Sequence, residues 1–439
     1  MLEESTAMRV GALAFMGQAI ARRERSWDRS VDRCVNLLLA YPSAMTTKIK
    51  TTKKKKKIVH RATPAQAGAF VDELFGEDLH ALRVRSLADA VTGVTHAASL
   101  SVSAIGAGLA AANGLRTKHA IKQVDRLLSN KGVVLDDLLP RWAGFVLGAR
   151  KKVRIALDWT DFEKDDQVTL AAYVITEHGR ATPLLWKTHV KSSLSSRQTD
   201  YEAEFVDLLA RLIPEDVDVT LVADRGFASV ERYDDLRVLG VHYLIRFRGN
   251  VNVTDASGVT KRAEEWVPTN GRARRIEQAG VTHTKAPVPV VVCVRKAKMK
   301  EPWCLATDLT DLSAPEIVKL YGRRFTIEET FRDVKDQRFG MGLKATSVKN
   351  PERRDRLLFV AALAHALLTL LGAAGEKIGF DRMLKANTSK KRTHSLYRQG
   401  LMWFQQLPKM PEDRLRPLMA AYSELLRSQP VFAEIFGTL

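Results

Sequence analysis

The sequence of 439 residues is poor in cysteine and contains only Cys34, Cys293 and Cys304. Their spacing fits neither a zinc site nor the disulfide framework of a small secreted domain. The chain also opens without the pattern of a secretory signal. These absences exclude a disulfide-stapled secreted protein and predict a reducing compartment, so we expect a cytoplasmic location.

One apolar run, residues 357–375, is as long as a membrane span. His365 and Thr369 interrupt the run, and three arginines crowd one of its flanks. We therefore predict a buried core helix and no membrane contact, with His365 as a satisfied core histidine and not a ligand.

Acidic residues are too few to balance the basic ones, since 50 Asp and Glu oppose 69 Lys and Arg and the net charge is +19. Basic side chains that neutralise phosphates gain affinity by releasing counterions, so nucleic acid is the leading partner. Solubility charge or attraction to an anionic membrane surface would be the alternatives. The length predicts about two or three domains.

The N-terminal part of the chain divides at a lysine-rich run. Residues 1–44 do not resemble the rest of the chain, and seven lysines lie in residues 48–57. We expect residues 1–63 to be a disordered basic extension and natural translation to begin at Met45.

Residues 64–147 have an all-helical pattern, with a break at Asn113-Gly114. In the helix after the break, Lys118, Lys122 and Arg126 are four residues apart and share one side. This helix could bind DNA, or it could be an ordinary amphipathic surface helix.

From residue 153 the pattern changes to strand, hairpin, helix, strand, helix and strand, which predicts an α/β layer with a mixed sheet. The segments are residues 153–158, 167–190, 201–213, 217–227, 230–240 and 241–249. Residues 249–308 are rich in Val, Thr, Gly and Pro and indicate further β-structure, and long helices come after them.

Two aspartates, Asp158 and Asp224, are each placed by this pattern where an apolar strand stops. Ligand sites usually lie at strand ends of such sheets, and hard divalent cations prefer oxygen ligands. A third carboxylate from a helix would complete a two-metal site. The alternative is that both aspartates form turns or cap helices. Three further aspartates after the first strand are weaker candidates: Asp161, Asp165 and Asp166.

Residues 320–343, LYGRRFTIEETFRDVKDQRFGMGL, have a helical pattern. At about 100° per residue, four polar side chains fall on one stripe. They are Tyr321, Arg324, Glu328 and Lys335. Glu329 falls on the far side, so we expect Glu328 to have partners and Glu329 to face solvent. The apolar residues to be buried are Phe325, Ile327, Phe331 and Val334. A salt-bridged surface helix is the competing interpretation.

This stripe resembles the Y-(2)-R-(3)-E-(6)-K motif of bacterial DDE transposases of the insertion-sequence-four family. The segments LDWT around Asp158 and VADRGF around Asp224 are similar to the two aspartate segments of that family. The resemblance covers roughly residues 64 to 405. One departure is Gly226-Phe227, where some members have an acidic stretch.

The resemblance implies an RNase H-like catalytic core with a β-rich insertion, an all-helical N-terminal domain before it and C-terminal helices after it. It implies Asp158, Asp224 and Glu328 as catalytic residues that bind two Mg²⁺ or Mn²⁺ ions. DNA contacts would come from Tyr321, Arg324, Lys335 and Arg225, with Lys118, Lys122 and Arg126 on the N-terminal helix.

The expected domains divide the chain into successive segments along its length. They are residues 1–63 as the extension, 64–150 for DNA binding, 151–248 and 309–375 as the two parts of the core, 249–308 as the insertion, and 376–439 as a C-terminal helical region.

The implied function is cut-and-paste transposition in a bacterial cell, near the nucleoid. The implied partners are double-stranded DNA, as terminal inverted repeats and target, and a second copy of the chain in a homodimer. A non-transposing nuclease with the same core and a domesticated copy that only binds DNA are the alternatives.

Overall fold

A computed structural model describes residues 64–195, 197–338 and 340–427. The expected basic extension and the expected start at Met45 lie outside these residues.

The first part of the described chain is helical, as its pattern predicts. Ser101 caps α3 by accepting a hydrogen bond from the Ala104 amide, and Gly114 ends it with φ +67°, a conformation that glycine adopts without strain. The helices are α1 Pro64–Phe75, α2 Ala81–Ala97, α3 Val102–Asn113, α4 Thr117–Ser129 and α5 Leu135–Leu147.

A mixed sheet comes next in the chain, and its first five strands have the order β3-β2-β1-β4-β5. They are β1 Lys152–Phe162, β2 Gln167–Val174, β3 Thr182–Val190, β4 Asp218–Ala223 and β5 His242–Phe247. The first three strands are antiparallel, which confirms the predicted hairpin, whereas β4 and β5 run parallel to β1. Helix α6, Gln198–Leu212, connects β3 to β4, and α7, Val230–Val238, connects β4 to β5.

The β-rich segment extends the same sheet. Its strands are β6 Asn252–Thr254, β7 Thr260–Arg262, β8 Arg274–Val281, β9 Ala286–Val294 and β10 Trp303–Thr307. Strand β10 pairs antiparallel with β5, so the sheet has ten strands within the described residues. The predicted fold class, an RNase H-like α/β core with a β-rich insertion and flanking helices, is confirmed.

The remaining helices are α8 Ala314–Gly322, α9 Thr326–Lys335, α10 Pro351–Lys377, α11 Leu396–Gln406 and α12 Glu412–Arg427. Helices α10 and α11 touch through glycine: a Cβ on Gly372 would lie 1.9 Å from the Leu396 carbonyl oxygen. This contact packs α11 directly onto the central helix.

Helix α10 contains the long apolar run. Among the described residues it is the one unbroken helix long and apolar enough to cross a membrane, but its apolar window is wholly buried in the protein. The predicted core helix is therefore confirmed. His365 stacks on Tyr397 at 4.4 Å and places Nδ1 3.5 Å from the Thr369 hydroxyl. Its Nε2 has no hydrogen-bond partner among the described residues, so His365 is satisfied at one nitrogen only.

Three local predictions were wrong. Strand β1 does not stop at Asp158 but continues to Phe162, because β2 pairs with it along that whole stretch. The helix predicted over residues 320–343 is broken by a 3₁₀ turn at Arg323–Phe325 and ends at Lys335. Phe325, predicted to be buried, is 40% exposed.

Candidate active site

The two strand aspartates come together because β1 and β4 are neighbouring parallel strands. Leu157 pairs with Ala223, so Asp158 on β1 lies beside Asp224, the residue directly after β4. Asp224 precedes a 3₁₀ turn, Arg225–Phe227, but its side chain makes no capping hydrogen bond. A capping role therefore does not account for this carboxylate.

The third carboxylate comes from the first turn of α9. The guanidinium of Arg324, in the 3₁₀ turn before α9, lies 3.2 Å from Asp158 Oδ2, 3.8 Å from Asp224 Oδ2 and 3.0 Å from Glu328 Oε1. The structure thus brings three acids from distant parts of the chain around one cation. The break between α8 and α9 does not disturb this convergence.

The electrostatics of the cluster are those of crowded negative charge. The pKa of Asp158 is raised to about 6, chiefly by burial; Glu328 and Asp224 also raise it, and Arg324 lowers it. Burial lowers the pKa of Arg324, but Tyr321 and the three carboxylates outweigh burial and the net direction is upward. The Arg324 side chain is only 4% exposed, and its guanidinium is therefore a permanent counter-ion to the three carboxylates.

Asp224 has two further partners. The phenol of Tyr321 donates to Asp224 Oδ1 at 3.1 Å, and burial raises the pKa of Tyr321 so that the phenol stays a donor. Arg246 Nη1 lies 3.7 Å from the same oxygen. Sequence reasoning missed Arg246. The structure brings Arg246 level with Asp224 because Ala223 pairs with Ile245, and the sequence alone does not give this register.

Lys335 lies at the end of β1 and not against the three acids. Its ammonium donates to the Thr160 hydroxyl at 3.0 Å and to the Asp161 carbonyl at 2.8 Å. Burial lowers the pKa of Lys335. Of the other predicted DNA contacts, Arg225 is exposed and binds Glu301 at 3.0 Å.

The three basic residues of α4 are exposed on the side opposite its buried residues. Those exposed are Lys118, Lys122 and Arg126. Those buried are Ala120, Val124, Leu127 and Leu128. A DNA-binding helix and an ordinary amphipathic surface helix would both have this arrangement, so it does not decide between them.

Glu329 does not simply face solvent as predicted. Its carboxylate pairs with Arg332 at 2.5 Å and with Arg180 at 3.9 Å, and its side chain is 36% exposed against 47% for Glu328. Sequence reasoning missed the reason: the half-buried Arg180 is held beside α9 because it also binds the buried carboxylate of Asp333.

The competing aspartates have other partners. Asp165 accepts hydrogen bonds from Arg354 at 2.6 Å and from the Val348 amide at 2.9 Å, and Asp166 accepts one from Ser192 at 2.7 Å. These carboxylates fix the turn after β1 to the rest of the protein, which explains their presence without a ligand.

The donor chemistry of the cluster fits a hard divalent cation, which takes carboxylate oxygens. Within the described ranges, no group of three or more Asp, Glu, His or Cys side chains is already arranged as a metal site. Arg324 lies among the three carboxylates and supplies the counter-charge there. The three acids are thus the residues available to such an ion.

The fold and the site define an RNase H-like α/β domain with an acidic cluster on adjacent strands and a helix. A family model described as "Transposase DDE domain" matches residues 150–367, which include all three acids. The match supports a DDE transposase, a class of DNA-cleaving, metal-dependent enzyme. No curated protein matches the chain.

Proposed function

We propose that the protein is a cut-and-paste transposase of a bacterial insertion sequence, of the insertion-sequence-four family. It would cleave DNA at its own terminal inverted repeats and join the freed ends to target DNA. The observation that carries this proposal is the convergence of Asp158, Asp224 and Glu328 on Arg324 inside the matched domain.

Asp158, Asp224 and Glu328 would hold two Mg²⁺ or Mn²⁺ ions, which supply activation of the attacking oxygen and stabilisation of the leaving oxygen of a phosphodiester. Arg324 keeps the acids close together against their mutual repulsion. Its planar guanidinium also has the donor geometry for phosphate oxygens. Tyr321 orients Asp224 by its hydrogen bond at 3.1 Å. Positioning and charge neutralisation account for most of the catalysis in such a site.

DNA would be held by several surfaces. Tyr321, Arg324, Lys335 and Arg225 would contact phosphates near the cleaved end. The exposed cations of α4 would bind a more distant stretch, which makes residues 64–150 a DNA-binding domain. We further propose a homodimer on two paired ends, located at the nucleoid, and the remaining domain boundaries expected from the sequence.

Supercoiled plasmid DNA carrying the element's two inverted ends tests this function. With Mg²⁺, a transposase excises the segment between the ends and joins it to new DNA. Nicking at random sites would indicate a non-transposing nuclease, and binding without any cleavage would indicate a domesticated copy. Either of these two results would overturn the proposal.

A further inference from the structure

The loop between β9 and β10 carries its one acid, Glu301, onto two arginines beside the acidic cluster. Glu301 Oε2 lies 3.0 Å from Arg225 Nη1 and 2.7 Å from Arg246 Nη2. Arg246 in turn lies 3.7 Å from Asp224. One carboxylate oxygen is therefore shared by two guanidinium groups, which is also how a phosphate oxygen is commonly bound.

The remainder of this loop is strongly basic. Four exposed cations lie in the six residues before Glu301: Arg295, Lys296, Lys298 and Lys300. None of them forms an ion pair with a described residue. A loop with this positive charge attracts a polyanion such as DNA. Strands β9 and β10, which flank the loop, hold it next to Asp224.

Glu301 is also easy to displace from Arg225, the more exposed of its two partners. Its side chain is 54% exposed, and that of Arg225 is 48% exposed. Exposed ion pairs contribute little to stability because water screens them. A DNA backbone offers several phosphates to the same arginines and to the four loop cations at once.

We propose that Arg225 and Arg246 form a binding site for a backbone phosphate of DNA, and that Glu301 occupies this site in the DNA-free protein as an internal competitor. This inference rests on the proposed function, since it takes DNA as the substrate. DNA binding then requires Glu301 to leave both arginines, and the loop cations engage the backbone on either side of the site.

The variant Glu301→Gln tests the proposal, with Glu277→Gln as its matched control. Glu277 lies in the same insertion, is 65% exposed and also pairs with an arginine, Arg275. Both variants raise the net charge by one, so a general electrostatic gain affects them equally. The measurement is the Kd for a labelled mixed-sequence DNA duplex in EDTA, over a series of salt concentrations.

Glu301→Gln is expected to bind the duplex about two- to tenfold more tightly than Glu277→Gln. Its binding should also depend more steeply on salt, because in the Glu277→Gln protein the displaced Glu301 carboxylate takes up a cation and so reduces the net release of cations. Adding Arg225→Ala to Glu301→Gln should remove most of the gain. Equal affinity and equal salt dependence of the two glutamine variants would overturn the proposal.

Failure of the Glu301 proposal can be distinguished from failure of the proposed transposase function. Binding in EDTA requires no cleavage, so an inactive protein that binds DNA still gives a decisive comparison of the two variants. Conversely, equal Kd values leave the excision assay unaffected.

Discussion

Arg324 Nη1 lies 3.2 Å from Asp158 Oδ2, although 166 positions separate the two residues in the chain. The contact joins the 3₁₀ turn before α9 to the central strand of the core. The same guanidinium reaches the other two acids of the cluster. Arg324 is therefore the residue through which the three acids are held together without a metal ion.

Replacing Arg324 by alanine should destabilise the metal-free protein by about 3 kcal/mol, because it leaves partly buried carboxylates without their counter-ion. Thermal unfolding in EDTA and in Mg²⁺ measures the effect. Mg²⁺ should raise the Tm of Arg324→Ala more than that of the wild type, since the cation replaces the missing positive charge. Arg324→Lys, which keeps the charge but not the planar fork, should fall between the two. An Arg324→Ala protein as stable as the wild type, with no added response to Mg²⁺, would refute this role.

Lys335→Ala should weaken DNA binding and lower the slope of log K against log salt by about 0.9, as loss of one phosphate contact does. Lys319→Ala, which removes an exposed charge from α8, is the control. The measurement is fluorescence anisotropy of an end-sequence duplex across salt concentrations. An unchanged slope with a lower Tm would show instead that Lys335 only fixes the end of β1 through Thr160 and Asp161.

Asp355 predicts a pH dependence of stability outside the active site. The pKa of Asp355 is raised to about 6, because burial outweighs the lowering effect of the hydrogen bonds from the Thr188 hydroxyl and amide. The folded state then binds a proton that the unfolded state releases near pH 4, so stability falls as pH rises from about 4 to 6 and is flat above. Asp355→Asn removes this titration. Its free energy of unfolding, relative to that of the wild type, should therefore rise by about 3 kcal/mol between about pH 4 and pH 6. The free energy of unfolding by urea at several pH values measures the difference, and a constant difference would contradict the assignment.

Features signalled by neighbouring residues could be predicted from the sequence. The break at Asn113-Gly114 follows from glycine chemistry, and the hairpin between β2 and β3 follows from its turn residues. The aspartate after β4 is also where its apolar run predicts it. In each case the signal lies within a few residues of the feature.

Features created by distant partners could not be predicted in this way. Strand β1 passes Asp158 because β2 pairs with it to the end. At the start of α9 the Thr326 carbonyl accepts a hydrogen bond from the Ala181 amide, which lies on a different part of the chain. The partners of Glu329 likewise depend on Arg180, near the β2–β3 turn, and helical periodicity of one segment contains no information about it.

The adjacent glutamates of α9 give the most direct test of the central claim that Asp158, Asp224 and Glu328 form one catalytic cluster. The measurement is Mg²⁺-dependent cleavage of an inverted-repeat duplex by Glu328→Gln and by Glu329→Gln, with DNA binding measured in parallel. We predict that Glu328→Gln loses cleavage but still binds DNA, and that Glu329→Gln still cleaves. Cleavage that survives in Glu328→Gln and disappears in Glu329→Gln would contradict the account.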